Sequence, residues 1–453
     1  MSGEFASRPI KTFEDYYNDA NIYMNNGEYI KAAISFEKAL SINENDLSSM
    51  YGLASAYAKE LDYEGEEIIR KQIAEFDSDN LDNDIRLIEI MIHNGKLDDA
   101  KQKTEELIKS DGTGSLNALY KEMIIEEPLP SLNSGIYDNY QLLEMTTKNN
   151  NELIYYTMDG TEPTKESILY SDGIIISYPE TKIRAKAIGA LGYESNEIQL
   201  SFSITKPVEN INLSESNKLN NIVNSLFNLP SNAELYNYEL AQIRTLYIIG
   251  DKYIESKFTE TIFSEDSYSR SNSYTSRGNF DLDFVEYMPF LQTLVVGYQD
   301  GLDLSPLASL KYIQNLSLLN NNITDISPLG GLNSLRRLAL GWNDITDVSA
   351  IANLQSLESL GLWNNNISDV STLNHLENLT YFDISYNHVA QIDCLKGMPN
   401  ISELWINNNN IQDISPLDNC SKLTILMQGN NPISNSEKIQ EKRNQLYKTD
   451  LEW

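Results

Sequence analysis

The residues best suited to catalysis or metal binding are few and scattered in this chain. Its three histidines, His93, His375 and His388, do not pair at metal-ligand spacing, and its two cysteines are Cys394 and Cys420. The sequence contains no HExxH, CxxC or EF-hand string, and no GxSxG elbow, Walker loop or GxGxxG fingerprint. We therefore predict no catalytic residues, no metal site and no cofactor, and a chain that is not an enzyme.

Carboxylates are numerous, but their spacing favours a structural role. The chain has 66 aspartates and glutamates, so counting alone leaves a glycosidase-like carboxylate pair open as an alternative. Such a pair needs a cleft and one raised pKa. The most regular aspartates instead recur with the period of a sequence repeat, which indicates turn formation, as does Asp159 in an Asp-Gly turn. They are Asp303, Asp325, Asp347, Asp369 and Asp413.

That repeat is 22 residues long and fills the C-terminal part of the chain. Its pattern is LxxLxLxxNxIxDIxPLxxLxx, with registers that begin at Leu291, Ile313, Leu335, Leu357, Leu379, Ile401 and Leu423. Each unit predicts one short strand with alternate residues facing inward, followed by an asparagine whose amide bonds the buried backbone of the turn. These asparagines are Asn321, Asn343, Asn365, Asn387, Asn409 and Asn431, with Gln299 in the first register.

The 22-residue units resemble the repeats of the internalin-like bacterial leucine-rich-repeat family. In that family the DIxPL half, here at 325–329 and 413–417, forms the convex side of a solenoid. The resemblance implies an α/β leucine-rich-repeat solenoid with a parallel concave sheet over residues 206–453. It also implies a helical N-terminal cap at 213–246, an insertion at 253–278 and a C-terminal cap over 436–453.

Aromatic residues collect on one face of this expected solenoid. Strand alternation sends the positions two, four and six after each start onto the concave wall, and the next position falls at the strand edge. Three of the four tryptophans lie on or beside that wall, and grouped exposed rings are typical of binding sites. We predict a ligand-binding site made of Tyr247, Tyr298, Trp342, Trp363, Tyr381, Asp383, Tyr386, Glu403, Trp405 and Met427.

The expected ligand of this wall is a protein, and the alternative is a glycan or the cell wall. Ring faces suit both peptide side chains and sugar rings, and Arg337 would add polar contacts beside the two carboxylates. The competing interpretation is structural: neighbouring rings would stack on one another, or the insertion would cover them. A carbohydrate-binding role could equally use the middle module described below.

The N-terminal part repeats every 34 residues, with registers that begin at Phe13, Leu47 and Leu81. Small and apolar residues at matching places predict helical hairpins that bury their apolar faces against the next unit. The units resemble tetratricopeptide repeats over residues 10–127, although Glu66 and Arg70 stand where the family has Ala and an aromatic residue. Residues 1–9 read as vector-derived, and we expect that a native targeting segment is absent from this chain.

Between the two repeat regions, residues 128–205 have a strand-like pattern. The prolines at 128 and 130 mark a boundary, and short alternating runs with regular turns predict an all-β sandwich. The string at 155–164, YYTMDGTEPT, resembles the immunoglobulin-like module named after the chitobiase C-terminal domain. That resemblance implies an accessory domain of surface proteins and enzymes, with little information about function.

Charge and hydropathy narrow the expected partners and location. The net charge is -32, which repels phosphate backbones and anionic lipid surfaces, so nucleic acid is not an expected partner. The sequence has no apolar run long enough to span a bilayer and no signal peptide. Family resemblance implies a bacterial cell-surface or extracellular protein, an adaptor or adhesin that binds a protein without catalysis.

Overall fold

The computed structural model describes residues 11–109, 114, 116–211, 233–250, 252–253, 277–278, 281–435, 446 and 448–449. Contacts divide the chain into two compact units. One comprises residues 1–134, 144–173 and 182–201, and the other comprises residues 135–143, 174–181 and 202–453.

Helical hairpins open the first unit, as the 34-residue repeat predicts. The helices are α1 (Phe13–Asn25), α2 (Tyr29–Leu40), α3 (Leu47–Glu60), α4 (Tyr63–Phe76), α5 (Leu81–His93), α6 (Leu97–Ile108) and α7 (Leu116–Glu122). The first helix of each hairpin begins at a repeat start because an N-cap side chain precedes it and accepts a backbone N–H three residues on. These caps, Thr12, Asp46 and Asn80, are themselves 34 residues apart.

Small residues let the hairpin helices approach each other closely. Ala20 and Ala54 occupy matching positions and are fully buried. Gly27 and Gly95 turn the chain between paired helices with φ of 75°, a conformation that glycine adopts at no steric cost. The predicted helical hairpins are confirmed for α1 to α6, and the short helix α7 follows the last of them.

The middle segment consists of short strands joined by turns, as the alternating pattern predicts. They are β1 (Leu129–Pro130), β2 (Gly135–Tyr137), β3 (Gln141–Leu143), β4 (Met145–Thr146), β5 (Leu153–Thr157), β6 (Ile168–Leu169), β7 (Ile174–Ile176), β8 (Glu180–Ile188) and β9 (Ile198–Ile204). In the first unit β5 pairs antiparallel with β8 and β6, and β1 with β4. In the second unit β3 pairs antiparallel with β7, and β2 pairs parallel with β9.

The solenoid fills the rest of the second unit with one parallel sheet. After the short helix α8 (Asn237–Leu240) come β10 (Thr245–Ile249), β11 (Lys252–Tyr253), β12 (Thr293–Gly297), β13 (Asn315–Ser317), β14 (Arg337–Ala339), β15 (Ser359–Gly361), β16 (Tyr381–Asp383), β17 (Glu403–Trp405), β18 (Ile425–Met427) and β19 (Lys448–Thr449). Strands β10 and β12 to β19 pair parallel in chain order, and β11 adds one antiparallel edge. The fold class predicted from the repeats is therefore confirmed.

The asparagine ladder holds neighbouring turns together. The Oδ1 of Asn343 accepts the N–H groups of Asn321 and Ile323 at 2.9 and 3.1 Å. Its Nδ2 donates to the carbonyls of Leu318 and Leu340 at 2.8 and 2.9 Å. Because each buried amide satisfies backbone groups in two repeats, these asparagines are structural, as predicted.

The convex side has regular turns and an aliphatic core. The Oδ1 of Asp325 accepts the backbone N–H of Ser327 at 2.8 Å, and the other repeat aspartates bond Ser305, Ser349, Ser371 and Ser415 in the same way. Cys394 and Cys420 are both buried in this core and not joined by a disulfide.

Some expectations fall on residues outside the described part. Of the helical cap at 213–246, the structure describes residues 233–246, which contain α8 and the start of the predicted first strand, β10. A 3-10 turn at Asp283–Tyr287 precedes β12. Most of the insertion at 253–278 and of the cap at 436–453 lies outside, although β19 pairs with the last repeat strand.

Candidate binding face of the solenoid

The concave wall is built from two columns of outward-facing residues, one at each end of the short strands. The strand register aligns the first column across β12 to β18, and its members are half-buried: Thr293, Asn315, Arg337, Ser359, Tyr381, Glu403 and Ile425. In the second column only Trp405 is half-buried, and the other members are buried: Val295, Ser317, Ala339, Gly361, Asp383 and Met427.

Trp363 corrects the sequence prediction, because its side chain is 0% exposed. The ring lies across the backbone of two glycines: a methyl group added at Gly341 or Gly361 would come within 2.3 Å of its carbon atoms. It clusters with Leu319 and Ala339, apart from the main leucine core. Trp363 therefore fills the wall and does not project from it, because the glycines leave room for the ring.

Three further residues predicted to contact a ligand are also buried. Tyr247 and Met427 are 5% and 7% exposed. Asp383 is fully buried, and its Oδ1 accepts the N–H and the hydroxyl of Ser385 at 2.9 and 2.6 Å. The expected exposure of these side chains is wrong, since they are packed among neighbouring residues of the wall. Hydrogen bonds from Tyr381 and Ser385 satisfy the buried carboxylate of Asp383, and strand alternation gave no signal for this burial.

Trp405 is the tryptophan that stays half-buried on the wall. Its indole N–H donates to Oε1 of Glu403 at 2.7 Å, which fixes the ring orientation. Tyr381 lies one repeat before Glu403 in the first column, and its hydroxyl donates to Oδ2 of Asp383 at 3.3 Å. The structure thus places Tyr381, Glu403 and Trp405 on adjacent strands.

A further column, which we call the edge column, lies one residue before each ladder position. Trp342 and Tyr386 are 46% and 45% exposed there, and Tyr298 is half-buried against the cluster of Tyr247, Ile249 and Val295. All members have left-handed backbone with φ between 54° and 58°, which sequence reasoning missed. They are Tyr298, Asn320, Trp342, Asn364, Tyr386, Asn408 and Asn430.

Several aspartates of the convex turns have lowered pKa values because the turns donate hydrogen bonds to them. Hydrogen bonds from the backbone and hydroxyl of Ser349 lower the pKa of Asp347, and the same contacts lower the pKa of Asp303, Asp369 and Asp413. Within the described ranges, no group of three or more potential ligands could hold a metal ion. No helix in those ranges has both the length and the apolar character to cross a membrane.

Comparison with known proteins assigns two parts of the chain. Residues 132–199 match the chitobiase/beta-hexosaminidase C-terminal domain, and residues 355–397 and 399–441 match leucine-rich repeats. No curated protein matches the chain.

Solved structures that match part of this chain include two internalins from Listeria monocytogenes. Internalin C2 is 26% identical, with a TM-score of 0.43, over 52% of this chain and 92% of its own. The internalin inlF is 20% identical, with a TM-score of 0.36, over 54% and 98%. A TDR receptor is 23% identical, with a TM-score of 0.33, over 39% and 33%.

The family matches agree with the repeat period, the parallel sheet and the asparagine ladder. They also agree with the short strands and the Asp-Gly turn of the middle segment. The chain therefore carries a segment that matches the chitobiase/beta-hexosaminidase C-terminal domain, followed by a solenoid whose repeats match leucine-rich repeats.

Proposed function

We propose that this chain is a non-catalytic adaptor or adhesin of the bacterial cell surface. It binds a protein partner on the C-terminal half of the concave wall, over β16 to β18. The helical hairpins act as a docking module and the sandwich as a spacer.

The observation that carries the proposal is the state of Trp405. A half-buried tryptophan, with its indole N–H already bonded to Glu403, presents a ring that loses little conformational entropy on binding. Tryptophan and tyrosine are the residues most often found at the energetic centre of protein interfaces. Tyr381 and Ile425 lie beside it in the first column and extend the apolar area.

The polar surroundings also favour a protein partner. Glu403 lies beside the rings, and Arg337 lies two strands before Tyr381 in the same column, so the column carries charges of both signs. Such a mixed rim sets orientation and specificity, while the desolvated aromatic centre supplies most of the affinity. We therefore expect one specific partner and no general affinity for basic proteins.

The test begins by capturing the partner on intact cells. A photoreactive amino acid at position 403 should cross-link one polypeptide, whereas the same group at Lys311, an exposed residue outside the wall, should not. Protease treatment of intact cells should digest the chain, as expected for a surface location.

Affinity for the captured polypeptide then tests the wall itself. Tyr381→Ala combined with Trp405→Ala should weaken binding at least about 100-fold, a loss typical of interface centres. The control is Tyr312→Ala, which removes a tyrosine that is 39% exposed outside the wall and should change affinity less than twofold. Unchanged affinity in a folded double variant would refute the site.

A further inference from the structure

The edge column alternates rings with amides. Tyr298, Trp342 and Tyr386 occupy every second repeat, and Asn320 and Asn364 stand between them. Neighbouring strands are about 4.8 Å apart, so successive rings are roughly 9.6 Å apart along the solenoid. Side chains of adjacent repeats in this column come within contact, since at its C-terminal end Nδ2 of Asn430 donates to Oδ1 of Asn408 at 2.8 Å.

The fold by itself favours asparagine at every one of these positions. Left-handed backbone crowds the side chain of most residues, whereas asparagine tolerates it. Trp342 and Tyr386 nevertheless adopt φ of 57° and 54°, and their backbone N–H groups bond the next repeat like those of the asparagines. Aromatic side chains in a disfavoured conformation, and about half exposed, point to a role other than stability.

The members of the edge column are themselves neutral, being aromatic or amide side chains. The exposed residues just beyond the ladder alternate between amides, at Asn322, Asn366 and Asn410, and the titratable side chains of Asp300, Asp344 and His388. Arg277 also donates to Oδ1 of Asn320 at 2.9 Å. The net charge of -32 opposes polyanions. A row of ring faces separated by neutral hydrogen-bonding groups is suited to sugars, whose rings stack through C–H groups and whose hydroxyls bond amides.

We propose that the edge column binds a neutral β-1,4-linked glycan lying along the solenoid. In such a chain each sugar is turned over relative to the last, so the same ring face recurs at every second sugar. That disaccharide repeat is close to the two-strand spacing of the rings. Rings at Tyr298, Trp342 and Tyr386 would then stack on the first, third and fifth sugars. This site uses other side chains than the protein site at Tyr381, Glu403 and Trp405, and neither proposal depends on the other.

Calorimetric titration of the full chain with defined oligosaccharides tests the proposal. Chitohexaose or cellohexaose should bind, and their relative affinity reports whether acetamido groups are recognised. The pentasaccharide should bind at least about tenfold more tightly than the trisaccharide, because only the longer chain reaches all three rings. Maltohexaose, whose α-1,4 links curve the chain, should bind at least about tenfold more weakly.

Matched variants identify the surface. Trp342→Asn and Tyr386→Asn introduce the residue that the column already uses, so each variant should melt at or above the wild-type temperature. Each should lose roughly tenfold in hexasaccharide affinity, and the double variant should not bind. Trp405→Ala should bind hexasaccharide like the wild type, which separates this site from the proposed protein site.

Several results would overturn the glycan proposal. They are no binding of either β-1,4 hexasaccharide, equal affinity for maltohexaose, or full affinity in folded Trp342→Asn. Capture of a polypeptide by a photoreactive group at position 342, without hexasaccharide binding, would assign the row to a protein interface instead. If one of the two single variants has a melting temperature below that of the wild type, the hexasaccharide affinity of the other variant decides the test.

Discussion

At the scale of single residues, the ladder asparagines were predictable and the burial of Trp363 was not. A ladder amide bonds backbone groups of its own and adjacent repeats, so its recurrence every 22 residues is enough to predict its structural role. The burial of Trp363 depends on two glycines that leave room for its ring. Gly341 lies one repeat earlier, and Gly361 lies two residues before Trp363. Two glycines in register beside a tryptophan are a usable signal, but strand alternation alone treats that position as exposed.

Gly361→Ala should test this packing directly. The added methyl would come within 2.3 Å of the Trp363 ring, and overpacking of this kind costs about 1–3 kcal/mol. Urea denaturation should show that loss of unfolding free energy. Gly331→Ala is the control, since no atom lies within 4 Å of its added methyl. Equal stabilities for the two variants would contradict the buried position of Trp363.

Asn365→Ala should be more damaging than a change at its exposed neighbour. The Asn365 amide bonds the carbonyls of Leu340 and Leu362 and the N–H of Ile345. Leaving such buried groups unsatisfied costs about 1–3 kcal/mol each, so the solenoid should lose several kcal/mol. Asn366→Ala removes an exposed amide and should cost less than about 0.5 kcal/mol. Chemical denaturation distinguishes the two.

At the scale of elements, helix starts were predictable and the contacts between helices were not. Caps at 34-residue spacing mark each hairpin in the sequence. The departures at Glu66 and Arg70, which weaken the resemblance to tetratricopeptide repeats, are explained by an ion pair: buried Glu66 bonds both Arg70 and Arg86 at 2.7 and 3.0 Å. Arg86 is 20 residues away in the next hairpin, so no local pattern could reveal the pairing.

The adjacent Glu67 should make the helical hairpins sensitive to acid. Burial raises its pKa, but hydrogen bonds from Lys71, Lys96 and Asn94 together outweigh burial and hold the pKa at about 2, below the ordinary 4.5. A lowered pKa stabilises the fold above about pH 4.5, and the contribution disappears as the pH falls towards 2.

A pair of variants measures that contribution. Glu67→Gln should destabilise the hairpins by up to about 3 kcal/mol at neutral pH, and its deficit relative to wild type should shrink between pH 5 and pH 2. Glu75→Gln, on the exposed side of the same helix, should follow wild type throughout. A deficit that does not change with pH would contradict the role given to Glu67.

At the scale of the whole molecule, the sequence reveals the architecture more readily than the binding surface. The 34-residue and 22-residue repeats predict the hairpins and the solenoid, because each repeat places the same residue types in the same environments, and strand-like alternation predicts the sandwich. Binding residues stand at the positions that vary from repeat to repeat, so the repeat pattern does not predict whether their side chains are exposed. Four of the ten predicted contact residues are buried, whereas Trp405 and the edge-column rings remain accessible.

The most direct test of the central claim is hydrogen–deuterium exchange of the full chain with and without its captured protein partner. The proposed site predicts that peptides covering β16 to β18, residues 381–427, gain protection on binding, and that the convex turns do not. Protection confined to the helical hairpins or the sandwich, with the exchange of β16 to β18 unchanged, would contradict it.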